Sequence, residues 1–371
     1  MGNIEASNQY VRDLTHHMTN YLVEISGRSD LKNVSQQPDI ILGVTCLLER
    51  LRGASSASEP RTQKAVFEMG FSVMNPIIIL LEVYSNESTV IYLLIKFVVD
   101  WVDGQIIYLE AQETAIVINF CMRFLQLYSS YNIGKVDFSS DSIEAHGTRI
   151  SQVVYTGLQI VNPLITLDML KYPKLCHDYF GLLSHLLEVY PEMLLELNAE
   201  SFSHIRETLK FGLRHQDAEV VDMCLRALNA LASYHFKETA AGKVGFGSHA
   251  AGYKDPNGKM QEGRTRDTFC QRGSALVLVH FPYSGCTDLV SSAADALLPL
   301  ILCEHVLYQR LGNELIERQA NPVLKSRLGN ALHSLTSSNN LSFSLDRPNY
   351  QKFRKNLHNF LVEVRGFLRT M

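Results

Sequence analysis

The chain has 371 residues, 46% of them hydrophobic, with 34 Lys and Arg against 38 Asp and Glu for a formal net charge of -4. That length exceeds what one compact core usually serves, so two domains or one elongated array is expected. The composition excludes wholesale disorder, and the absence of any Lys/Arg block removes the electrostatic footprint that nucleic-acid binding needs.

Helical periodicity dominates, and strand-like alternation is rare. In chain order, the pattern predicts a first helix over about Asn8–Ile25, with Val11, Leu14, Met18 and Leu22 on its apolar face. A polar linker, Ser26–Pro38, and a second helix, Asp39–Arg52, follow. GASSASEP breaks the pattern, and Asn75-Pro76 predicts another break, with Asn capping and Pro in a first turn. Helices over Pro76–Tyr84, Ser88–Leu109 and Gln112–Tyr128 come next, then a loop over Gly134–Gly147. Arg149–Leu170 is expected to be helical and kinked near Pro163. Pro173–Tyr190 should stop at Pro191. Asn198 should cap a helix carrying Phe202, Ile205, Leu209 and Leu213 at helical spacing. RHQD then turns the chain into a helix over Asp217–Phe236.

One helix pattern recurs. EVVDMCLRALNAL (Glu219–Leu231) and DLVSSAADALLPL (Asp288–Leu300) share an acid, a Val, Ala-Leu and a closing Leu. TVIYLLIKFVVDW (Thr89–Trp101) places its apolar residues alike, and VLKSRLGNALHSL (Val323–Leu335) repeats the ending. The copies at Asp288 and Val323 lie near one HEAT-type period of about 40 residues. A single hairpin cannot bury its own apolar stripe, so a neighbour with the same stripe completes the core. Small residues such as Cys224, Ala227, Ala293 and Ala296 let such helices approach closely. The expected fold is therefore all-α, an α-solenoid of HEAT/armadillo-like helical hairpins. Residues 1–236 and 287–371 are read as repeats, with 237–286 as a Gly-rich loop and an atypical segment. Within it, Gly245-x-Gly247-x-x-Ala250 matches a dinucleotide fingerprint as a string only, because no strand precedes it and Pro256 follows. SALVLVHF reads as a short strand.

Chemistry is sparse. The seven cysteines (Cys46, Cys121, Cys176, Cys224, Cys270, Cys286 and Cys303) form no C-x-x-C pair and read as reduced, mostly buried thiols. The 13 histidines are dispersed, and the adjacent His16-His17 point to different helix faces. No metal, cofactor or catalytic motif is found, so no enzyme is expected. MGNIEAS lacks an apolar signal core, and Ala6 stands where a myristoylation motif needs Ser or Thr. The runs after Asn75 and Thr89 are shorter than a span of about 20 apolar residues, so no membrane insertion is expected. Asp100, Asp103, Glu110 and Glu113 cluster at a helix junction, where an acidic patch would favour a cationic group.

Two long stretches carry a resemblance. LDMLKYPKLCHDYFGLLSHLLEVYPEMLLELNAESFSHI (Leu167–Ile205) and SLDRPNYQKFRKNLHNFLVEVRGFL (Ser344–Leu368) resemble the C-terminal part of nuclear export receptors of the exportin-4 group, in the importin-beta (karyopherin) superfamily. The likeness runs over Met1–Tyr234 and Asp288–Met371. It implies a HEAT superhelix that carries protein cargo from nucleus to cytoplasm with GTP-bound Ran and contacts Phe-Gly nucleoporins. It also implies hypusine-bearing translation initiation factor 5A as a cargo and shuttling between the two compartments. The acidic cluster would then face the hypusine. The residues alone fit a generic HEAT scaffold with no link to Ran. The chain departs from the group between Gly134 and Val136 and over Arg264–Cys286, which reads as a partial or alternatively spliced product. Without a normal first helix there, the stripe at Val290, Ala294 and Leu297 is expected to be exposed.

Overall fold

The computed structural model describes residues 2–105, 107–132, 150–243, 245–246, 289–303, 305–337 and 344–364. Among them there are fourteen α-helices and no strand. The helices fall into two compact units, Met1–Ile160 and Val161–Met371. Each is a stack of helical hairpins, the local architecture of an α-solenoid. The expected Gly134–Gly147 loop, the SALVLVHF strand and Gly247–Ala250 lie outside the described residues.

The first unit contains α1 (Gly2–Ser26), α2 (Leu31–Val34), α3 (Pro38–Ser56), α4 (Gln63–Val83), α5 (Ser88–Gln105) and α6 (Ala111–Asn132). Helix α1 packs beside α4, and α3 beside α5. α1 is rotated from the expected face: Leu14 is 54% exposed, while Asn8, Thr15, Thr19 and Leu22 are buried. Asn8 explains the rotation. Its Nδ2 donates to the Arg61 carbonyl at 2.9 Å, and its Oδ1 accepts from the Ala65 N–H at 2.9 Å. The side chain thus satisfies backbone groups at the start of α4, and α1 turns to deliver it.

No break occurs at Asn75-Pro76. α4 runs through Pro76, which is buried along with Val73, Ile77, Leu80 and Leu81. A helix-interior proline costs about 3 kcal/mol, less than the burial of several large aliphatic side chains contributes. α4 has the length and composition to cross a membrane, yet half of its most apolar window is buried inside the unit. The core around it also gathers Leu22, Leu48, Leu94 and Trp101.

The junction helix α7 (Ile150–Val161) ends earlier than expected. Pro163 terminates it rather than kinking it, and the chain passes through 3₁₀ turns at Asn162–Leu164 and Met169–Lys171. A residue preceding proline is disfavoured in the α region, and Asn162, which precedes it, leaves the α-helix with its side chain buried and donating to the Ser201 carbonyl at 3.1 Å.

The second unit contains α8 (Pro173–Val189), α9 (Ala199–Gly212), α10 (Ala218–Ala240), α11 (Val290–Cys303), α12 (His305–Glu317), α13 (Pro322–Ser337) and α14 (Arg347–Val364). Its starts follow the sequence signals. Asn198 Oδ1 accepts from the Ser201 N–H at 2.7 Å, and Asp217 Oδ1 from the Glu219 N–H at 2.9 Å. α10 continues four residues past Phe236 to Ala240. Beyond it, Gly245 (φ 52°) places Phe246 in a pocket of Phe202, Tyr234 and His235.

The two most similar segments are direct neighbours: α10 packs against α11, and α11 against α14. Ala293, Ala294, Ala296 and Leu297 are buried with Leu225, Leu228 and Ala232. The stripe expected to be exposed is therefore covered, with Ala294 0% and Leu297 1% accessible and Val290 partly buried. Neighbours α10 and α14 supply the cover.

Candidate interaction surface

The second unit carries a row of polar contacts that crosses from helix to helix. Each repeated helix buries one side against its neighbours and turns a polar position outward. His177 on α8 faces Glu219 on α10 at 3.2 Å. Arg226 on α10 lies 3.6 Å from Glu188 on α8 and 3.4 Å from Asp222 one turn back. Asp222 accepts from the Ser292 hydroxyl on α11. Asp295 on α11 then receives a two-pronged bond from Arg354 on α14, Nε to Oδ1 at 2.7 Å and Nη2 to Oδ2 at 2.6 Å. These pairs are partly exposed, so each contributes little to stability and all remain accessible to a partner. Their paired geometry presents carboxylate and guanidinium groups in fixed positions, which suits recognition of a protein surface.

Sequence reasoning missed this row. A signal did exist in the repeat: Arg226 and Asp295 occupy the same position of the aligned segments, and Lys96 stands there in the Thr89–Trp101 copy. The outward position is charged in all three, whereas the partner across the helix boundary is invisible without the fold.

The four acidic residues of the first unit separate into two structural roles. Asp100 on α5 is clasped by Arg52 on α3, with Nε to Oδ2 at 2.6 Å. Arg52 also reaches Glu49 at 3.0 Å, and the Asp100 bond raises its pKa. Glu113 accepts the Glu110 N–H at 3.0 Å, closing the first turn of α6 in the manner of a capping box. Thr114 donates to the Glu110 carbonyl at 2.8 Å. Asp103 and Glu110 are exposed; Asp100 and Glu113 are half-buried. Glu110 and Glu113 are thus joined in one turn, while Asp100 is held toward α3. Arg52 offsets part of the negative charge, and nothing near Asp100 in sequence announced it.

Among the described residues no three His, Cys, Asp or Glu side chains converge as metal ligands would. Cys176 and Cys224 are buried, and burial pushes both thiols upward. Cys121 is pushed up to about 11. Cys46 is exposed, Cys121 and Cys303 are partly buried, and Cys270 and Cys286 lie outside the described residues.

A family model described as Exportin-4 matches residues 129–370. The chain belongs to the exportin-4 family. The match spans the row from Glu188 to Arg354 in full. The chain is also 22% identical over 390 residues to Exportin-4 of Dictyostelium discoideum, a likeness covering 97% of this chain and 32% of that protein. It therefore spans about a third of the length of that curated relative. The exportin-4 family assignment agrees with the all-α hairpin architecture.

Proposed function

We propose that this chain is the cargo-binding portion of a nuclear export receptor, moving protein cargo from nucleus to cytoplasm with GTP-bound Ran. The observation that carries the reading is the exportin-4 family match across the whole second unit, where helices α8, α10, α11 and α14 present a continuous row of fixed polar groups. Repeated hairpins suit such work because each interface yields slightly and a long surface can follow a large partner.

The finer partners extend the same reading. Hypusine-bearing translation initiation factor 5A is the proposed cargo, with Phe-Gly nucleoporins as contacts at the pore and shuttling between nucleus and cytoplasm as the consequence. The acidic turn of Asp100, Asp103, Glu110 and Glu113 is proposed to attract the cationic hypusine side chain. Exposed Asp103 and Glu110 supply its accessible charge.

Titration of the chain with labelled, hypusine-bearing factor, with and without GTP-loaded Ran, tests the proposal. Binding strengthened by GTP-loaded Ran is expected. Absence of binding in both conditions, from a chain shown to be folded by circular dichroism, removes the reading. Partner binding indifferent to the Ran nucleotide would favour a scaffold instead.

A further inference from the structure

We infer that the outward face of α14 is a docking strip for an acidic protein segment. Helix α14 buries Phe353, Asn356, Leu357, Phe360 and Val364 against its own unit. Its opposite face exposes Arg347, Gln351, Lys352, Lys355, His358 and Val362. At 1.5 Å rise per residue, the strip from Arg347 to His358 runs about 16 Å, long enough to meet several carboxylates of an extended or helical segment.

The local acids are already committed. Asp295 is held by Arg354, and Glu363 by Arg327 at 2.8 Å. Asp346 receives the Asn349 N–H at 2.8 Å and the Ser344 hydroxyl, serving the start of the helix. Among the described residues Arg347, Lys352 and Lys355 make no ion pair. Three cations thus stand along the strip, with Asp346 an acid that feels Lys352, in a chain whose net charge is -4. The helix does not need all of them. Arg347 stands in the first turn, where the helix dipole favours an acid and a cation costs a few tenths of a kcal/mol.

The face selects its partner class. Among the described residues it offers no exposed Phe, Tyr or Trp: Phe353 and Phe360 are buried, and Tyr350 is half-buried, 3.3 Å from the Ser233 hydroxyl. Bases of a single strand would find one imidazole, His358, and no row of rings to track along. Val362 is its one exposed aliphatic, so there is no apolar stripe to enter a lipid surface. A peptide with several Asp or Glu and a single apolar residue fits both the charge and Val362. The strip is independent of the cargo reading above, because it uses none of the residues proposed there.

The test uses the whole chain and a fluorescein-labelled, Glu-rich peptide bearing one Leu, followed by anisotropy. Binding that weakens steeply between about 50 and 300 mM salt is expected, since the contact is exposed and screened. Lys352→Glu with Lys355→Glu should weaken it by about tenfold or more at low salt. Lys174→Glu, one such charge reversal at an exposed position of α8, should leave it unchanged. Circular dichroism of each variant secures the fold. Equal affinity of wild type and the double variant overturns the proposal, as does equal weakening by Lys174→Glu. Displacement of the peptide by a single-stranded RNA oligonucleotide or by anionic vesicles, at lower concentration than by unlabelled peptide, overturns it as well.

Discussion

The indole of Trp101 on α5 occupies the space where a side chain at Gly70 on α4 would stand. Its Nε1–H donates to the Val66 carbonyl at 3.1 Å, Phe67 stacks on it at 6.1 Å, and Phe120 meets its edge at 6.2 Å. A single methyl group at Gly70 forces the ring to move. Gly70→Ala should destabilise the first unit by about 1–3 kcal/mol through overpacking. Urea unfolding followed by the fluorescence of Trp101, the single tryptophan, would check it. An unchanged midpoint would mean that α4 and α5 can separate without cost.

Gly212 provides the matching test in the second unit. A Cβ there meets Cys224 and lies 2.8 Å from the ring of Phe180. Gly212→Ala should shift unfolding of the second unit while leaving the Trp101 signal at its wild-type midpoint. A shift in the Trp101 signal alone would contradict the assignment of Gly212 to the second core.

Leu297 was expected to be exposed and is instead 1% accessible between α10 and α14. Leu297→Ala should therefore cost about 2–5 kcal/mol, the range for a large-to-small change in a core. A cost near zero, measured by chemical denaturation, would restore the expectation of an exposed stripe.

His235 gives the second unit a pH dependence of known sign. Its Nδ1 accepts the Phe246 N–H at 3.1 Å, and burial lowers its pKa. The folded state thus favours the neutral ring, while the unfolded chain binds a proton near the ordinary value of about 6.5. The contribution to stability is complete above that value and declines as pH falls toward the lowered folded pKa. His235→Gln should flatten this part of the profile below about pH 6.5. An unchanged slope in the variant would place the titrating group elsewhere.

Thiol labelling distinguishes the cysteines by environment. Native protein at pH 8 should modify exposed Cys46 far faster than Cys176 or Cys224, whose thiols are buried and raised in pKa. Peptide mapping after a short maleimide pulse reads the order. Early modification of Cys224 would mean that α8 and α10 open readily.

The repeat was legible because it is a local pattern. The cap at Asn198, the turn at RHQD, the stop before Pro191 and the Ala-Leu ending are all local, and there spacing decides the outcome. The errors came from contacts that join distant segments. Asn8 fixes the rotation of α1 through backbone atoms of α4, which no property of α1 reveals. Pro76 is itself buried in the core and the helix runs through it, whereas Pro163 is exposed and follows Asn162, whose side chain is taken up by the Ser201 carbonyl 39 positions on. The same division holds for the candidate surfaces. The acidic residues were visible as a cluster, but Arg52, 48 positions from Asp100, was not. The polar row needs α8, α10, α11 and α14 side by side before Arg226 and Arg354 acquire partners.

The contact between α10 and α11 joins helices separated by the whole stretch from Ala241 to Leu289. Val221, Leu225, Leu228 and Ala232 on one helix are buried with Ala293, Ala294, Ala296 and Leu297 on the other, so the seam asks only for aliphatic side chains, mostly short ones on the α11 side, at a handful of positions. Loop-closure entropy grows slowly with length, so the intervening segment can lengthen at little thermodynamic expense. A lineage can therefore rewrite most of such a chain, or splice new material between neighbouring hairpins, and keep the stack so long as those few sites stay aliphatic. That tolerance is one physical route by which relatives only 22% identical still align across nearly the entire chain.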